Sequence, residues 1–179
     1  LKQTTDNSVP VSLQYLFAAS VETLRYGDKI PFMERFSQVN QALISKKMGK
    51  FSLQLSPTII FHEFYNYEKN IFSSLGVSAR YMVGQRVALT LEYYNRFHHQ
   101  DDGSLAYKNV FEDNKNSLSL GIDIEAGGHV FQFHLSNSSP LHEKGFMFQT
   151  DKSWDKGQIC FGFNILREFS GSKKSDDKW

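Results

Sequence analysis

The chain has 179 residues, enough for one domain, and its formal net charge of +1 gives no global attraction to nucleic acid or anionic lipid. Its lone cysteine, Cys160, excludes an internal disulfide framework and any Cys-x-x-Cys or Cys/His zinc pattern. No run of about 18 apolar residues exists, which excludes a transmembrane helix but not a transmembrane β-barrel, because strand alternation hides the lipid-facing side from a mean hydropathy of −0.42.

The first residues, LKQTTDNSVP, lack the charged start and apolar core of a signal peptide, and Leu1 is not an initiator Met, so the chain reads as a mature form or a fragment. A first strand is predicted over Val9 to Leu24, with Leu13, Tyr15 and Phe17 on one face and Ser12, Gln14 and Ser20 on the other. Arg25 to Pro31 is a loop. A second strand over Phe32 to Ser45 is blurred by Arg35 and Asn40. After a turn at Lys46 to Lys50, Phe51, Leu53, Leu55, Ile59 and Phe61 alternate with small polar residues, and Pro57 is expected where its missing N–H does no harm, such as a bulge. Glu63 to Lys69 reads as a loop, followed by a strand carrying Leu75, Val77, Ala79 and Tyr81. Val83 to Gln85 turns into a strand with Val87, Leu89, Leu91 and Tyr93. A polar loop, His98 to Asn116, leads to a hairpin at Ser117 to Asn137, where Leu118, Leu120, Ile122 and Ile124 are answered by Phe131, Phe133 and Leu135 across a turn at Gly127 and Gly128. A connection from Ser138 to Lys156 holds a short strand extension at Phe146 to Thr150. The last strand carries Ile159, Phe161, Phe163, Ile165 and Phe169.

The prediction is an all-β, antiparallel, up-and-down transmembrane β-barrel domain over residues 1–169 with a polar tail at 170–179. About eight strands are expected, with longer connections at one end and tight turns at the other, as in outer-membrane barrels. The alternative is a soluble, lipocalin-like barrel with the apolar face inside around a ligand. A soluble exterior should be about 25 to 35% charged. The polar face here is mostly Ser, Thr, Gln, Gly and Ala, which suits a lumen. The isolated charges on or near that face, Arg80, Arg86, Glu92, Arg96, Asp123 and Glu125, together with His134, form an expected lumen network.

The segment NSLSLGIDIEAGGHVFQFHLSNSSPLHEKGFMFQT, with Trp154 and KGQICFGFNILREF after it, resembles the C-terminal half of a bacterial outer-membrane β-barrel family of unknown function. The resemblance is strongest over Asn116 to Phe169. It implies an outer-membrane address and no assigned reaction. Members carry further strands upstream, so these strands are either the whole barrel or the C-terminal part of one of about twelve. The resemblance also implies that Phe161, Phe163 and Phe169 act as the terminal signal read by the barrel-assembly machinery. Outer-membrane lipid and envelope proteins at the external loops are the other expected partners, with no nucleic acid and no cofactor.

Two constellations carry possible chemistry. The run HLSN, with His134, Ser136 and Asn137, resembles the His-x-Ser-Asn segment of outer-membrane lipid A deacylases, which are small barrels with a Ser, His and Glu triad; Glu143 or Asp123 would supply the acid. Against this, His134 and Ser136 fall on the face opposite Phe133 and Leu135, and a bland alternative is that His134 bonds Asp123 or Asn164 in the lumen. His98, His99, Asp101 and Asp102 are types that bind divalent metal, yet in a polar loop such residues are more often solvated. His142 beside Glu143 is read the same way.

Overall fold

Eight strands form where apolar and small polar residues alternate: β1 (Ser12–Val21), β2 (Phe36–Met48), β3 (Phe51–Tyr65), β4 (Glu68–Met82), β5 (Val87–Phe97), β6 (Ser117–Ala126), β7 (His129–Ser136) and β8 (Cys160–Arg167). The structure, a computed structural model, describes residues 11–21, 23, 32–65, 68–97, 115–140 and 142–167. Each strand pairs antiparallel with the next in chain order, giving one up-and-down sheet. The tight turns between β2 and β3, β4 and β5, and β6 and β7 lie at one end, while at the other end only residues 66–67 separate β3 from β4. At Gly49, Gly127 and Gly128 the turn requires φ of 63°, 59° and 78°, a region that L side chains avoid.

The sheet curves into a half-barrel whose two faces differ sharply. Ser37 and Gln41 of β2, Ser56 and Thr58 of β3, Ser74 of β4 and Asp123 of β6 are buried on the concave face. Leu13, Tyr15, Leu55, Ile59, Leu89, Leu91, Leu120 and Phe163 are exposed on the convex face. A continuous apolar exterior over polar-lined walls is the transmembrane pattern. It is the reverse of a lipocalin-like calyx, whose apolar side chains point inward, so the soluble alternative does not fit the curvature. No helix among the described residues is long and apolar enough to cross a membrane.

Several boundaries differ from expectation. Residues 32–35 form a 3-10 turn, and β2 begins at Phe36 and continues through Lys46 and Lys47. Asn40, which blurred the alternation, points to the convex side, where the Tyr15 hydroxyl donates to its Oδ1 at 2.5 Å. An outward amide is thereby satisfied by a neighbouring strand. Glu63 to Lys69 is not a long loop: β3 reaches Tyr65 and β4 starts at Glu68, so each runs 15 residues. The aromatic content of that segment favours strand over loop. Pro57 sits in no bulge. The β2–β3 register is the same on both sides of it, Gln41 opposite Thr58 and Ile44 opposite Leu55, and the ladder is interrupted between those pairs. The extension expected at Phe146 to Thr150 is instead a short helix, α1 (Glu143–Phe148). Phe169, the tail, and the cluster His98, His99, Asp101 and Asp102 lie outside the described residues.

Candidate functional site

The concave face is built in three levels, from the tight turns toward the long connections. At the turn end, Arg80 of β4 reaches over β5 to Asp123 of β6, Nε to Oδ2 at 3.0 Å. The intervening lumen residue is Ala88, fully buried and too short to obstruct the reach. Gln132 of β7 donates to the other carboxylate oxygen at 3.1 Å. Asp123 is 9% exposed and the Arg80 side chain 45%, so the pair is half-screened by water and worth less than a buried bridge. Arg86 and Glu125 are exposed at the rim, where the Glu125 amide donates to the Arg86 carbonyl at 2.8 Å.

The middle level is a cavity of about 340 Å³ whose lining includes Thr90, Glu92, Ser119, Gly121, His134 and Asn164. Glycines create it. Gly162 of β8 is the register partner of His134, and the imidazole lies where a Cβ at Gly162 would stand. Gly76 of β4 receives the Tyr94 ring from β5 in the same way. Both rings therefore lean away from β6, over which the cavity opens. At Gly121 a Cβ would lie 2.5 Å from Thr90 Oγ1 and 3.0 Å from the Phe133 carbonyl, so glycine here lets the Thr90 side chain pack close against the β6 backbone.

At the third level the β7–β8 connection folds inward. Helix α1 is only six residues long and has no side-chain cap at His142, so it does not persist by local propensity. Tertiary burial holds it. Met147 and Phe148 pack into a cluster with Val39, Ile60, Phe72 and Tyr94, one lumen residue from each of β2, β3, β4 and β5. Phe148 meets Phe72 at a ring separation of 5.4 Å, Phe146 meets Tyr94 edge-on at 5.1 Å, and Ser74 donates to Met147 Sδ at 3.3 Å. Asn137 ties the base of the connection to β6: its Oδ1 accepts from the Leu118 amide at 2.8 Å, and its Nδ2 donates to the Asn116 and Lys152 carbonyls at 2.9 and 3.1 Å. Trp154 Nε1 adds a bond to the Leu118 carbonyl at 3.0 Å, and the Thr150 hydroxyl donates to the Phe146 carbonyl at 2.8 Å. The apolar core among the described residues is thus a plug inside an otherwise polar lumen.

His134 and Ser136 share the lumen face as the spacing predicts, but they are not assembled for nucleophilic attack. The Ser136 hydroxyl is bonded to Ser119 Oγ at 2.9 Å and to the Ser138 amide at 3.0 Å. Among the described residues no hydrogen bond joins Ser136 to His134 or to Glu143, which opens α1. Asp123 is taken by Arg80 and Gln132 rather than by His134. Glu92 accepts from Ser78 at 3.3 Å, and Arg96 donates through Nε to Asn116 Oδ1 at 3.3 Å near the plug. No group of three or more His, Cys, Asp or Glu among the described residues is arranged to hold a metal ion. Phe161 and Phe163 face outward and flank the Phe133 ring, at 6.2 and 4.9 Å. Sequence reasoning named Asn137 only within the HLSN run and Met147 and Phe148 only within a strand extension, and missed the anchoring and lumen-filling parts they play. The available signal was the apolar trio Phe146 to Phe148 inside a long polar connection.

The chain belongs to the family described as "Membrane bound beta barrel domain (DUF5777)", whose model matches residues 1–169. It is a membrane-bound β-barrel domain of unknown function. No curated protein and no solved structure matches the chain.

Proposed function

We propose that the protein is an integral β-barrel of the bacterial outer membrane and that its lumen is a small-solute passage held shut by α1. The observation that carries this reading is the packing of Met147 and Phe148 against Val39, Ile60, Phe72 and Tyr94 on the lumen wall, with a cavity beneath them lined by both polar and apolar groups. A purely structural barrel has no need of a cavity under an apolar plug. Apolar constrictions that exclude water are one way in which pores gate. The long β1–β2, β5–β6 and β7–β8 connections share one end, opposite the tight β2–β3, β4–β5 and β6–β7 turns, which supports an outer-membrane orientation with the plug on the external side. In this reading lipid covers the convex face, the assembly machinery reads the aromatic alternation of β8 at Phe161 and Phe163, and envelope partners meet the long connections.

Planar-bilayer recording tests it. The unaltered protein should show a small conductance, and the doubly substituted Met147→Asp, Phe148→Asp protein a much larger one, because two carboxylates cannot stay in the apolar cluster. Heat-modifiable gel mobility verifies that the variant is folded. A folded variant as closed as its parent would sink the passage reading.

A further inference from the structure

Charge in the cavity above Gly121 is unevenly compensated. Asp123 is neutralised by Arg80 and bonded by Gln132. Glu92 opens into the same space, yet its only hydrogen bond among the described residues comes from the neutral Ser78 hydroxyl at 3.3 Å, and neither ion pair of the described residues includes it. No Lys or Arg is among the described residues that line the cavity, and His134 leans across Gly162 toward β8 without a hydrogen bond to the carboxylate. A carboxylate with no Lys or Arg paired to it among the described residues attracts cations and repels anions.

The other lining groups narrow the class of cation. Hydroxyls of Thr90, Ser119 and Ser136 and amides of Gln132 and Asn164 surround the space, which suits a ligand rich in hydroxyls. The Phe146 and Tyr94 rings close one end, where a sugar ring's C–H face or an ammonium group is favourably placed. A bare metal ion is a poor match, since the described residues offer no cluster of three ligating groups. About 340 Å³ lies at the small end of ligand pockets, which run from roughly 300 to 1,000 Å³.

We propose that this cavity binds a small hydroxylated organic cation, of amino-sugar size and chemistry, with its ammonium group on Glu92. The inference rests on the passage reading above and names the solute class for it. The carboxylate orients the ligand, and the hydroxyls and amides satisfy its ring substituents.

The test is calorimetric titration of the full chain in detergent with glucosamine, glucose and glucuronate, which share a ring and differ in charge. Glucosamine should bind tightest and glucuronate weakest, separated by on the order of tenfold or more. Glu92→Gln should erase the gap between glucosamine and glucose while gel mobility stays heat-modifiable. Glucuronate binding as well as glucosamine, or a folded protein that binds none of the three, overturns the inference. If Glu92→Gln does not fold, the series on the unaltered protein decides alone. Charge-ordered binding by a protein whose plug variant never conducts would keep the site and remove the passage; an open plug variant without charge preference would do the reverse.

Discussion

Gly162 shows how one missing side chain shapes the lumen. The His134 ring occupies the space of its absent Cβ, and the two residues are direct register partners on β7 and β8. Gly162→Ala should force the imidazole back over β6 and into the cavity, at a cost of about 1–3 kcal/mol for overpacking. Urea unfolding in micelles measures it, and His134→Ala in the same chain should recover most of the loss, as coupled neighbours do. Equal destabilisation with and without the imidazole would mean that the ring does not depend on this glycine. Alternation alone puts both residues on the polar face. The contact between them was not legible, because it depends on which strand lies beside which and at what register. The same holds for Gly76 beneath Tyr94.

At the level of elements, strands were far more legible than the helix. Period-two alternation identified every strand and the outward side of each except β2, whose pattern Arg35 and Asn40 blurred, since each strand needs only its own sequence to show that pattern. The boundaries moved where local signals conflict, as at Phe36 and in the hairpin arms reaching Tyr65 and Glu68. Helix α1 is too short to show a 3.6-residue period, and its residues are helical because the lumen buries them. Its base depends on Asn137, whose amide side chain is bonded to backbone groups at Leu118, Asn116 and Lys152. Asn137 is only 3% exposed, so water does not readily replace those bonds. Asn137→Ala should therefore cost about 1–3 kcal/mol, the penalty for leaving buried polar groups unpaired. Because the anchored segment is the plug, the loss should be local: proteolysis within the β7–β8 connection should accelerate while the strands stay protected. Uniform loss of protection across the sheet would place the asparagine in the barrel's global stability instead.

For the whole molecule, the decisive feature is that the sheet has two free edges. β1 and β8 end the strand order, and neither has a second neighbour among the described residues. Their convex residues show it: Leu13 is 64% and Phe161 67% exposed, against 40% for Leu55 and 42% for Leu91 on flanked strands. Within lipid an unpaired strand edge is untenable, because each bare N–H and C=O costs several kcal/mol. Direct pairing of β1 with β8 would close the edges but leave an interior just wide enough for side chains, as in other eight-stranded barrels. That is too narrow for α1, since a helix with its side chains is about 10–12 Å across. The plug and the free edges therefore point the same way, to closure through additional strands between β8 and β1. The sequence left eight and about twelve strands open, for alternation counts the strands present and says nothing about where their ends must pair. Hydrogen exchange in lipid nanodiscs provides the check. The outward-pointing amides of β1 and β8 should be as protected as the ladder amides of β4, and a disulfide engineered to join β1 directly to β8 should fail to form in the folded protein. Efficient formation of that bond with α1 still seated would show that eight strands close around the helix.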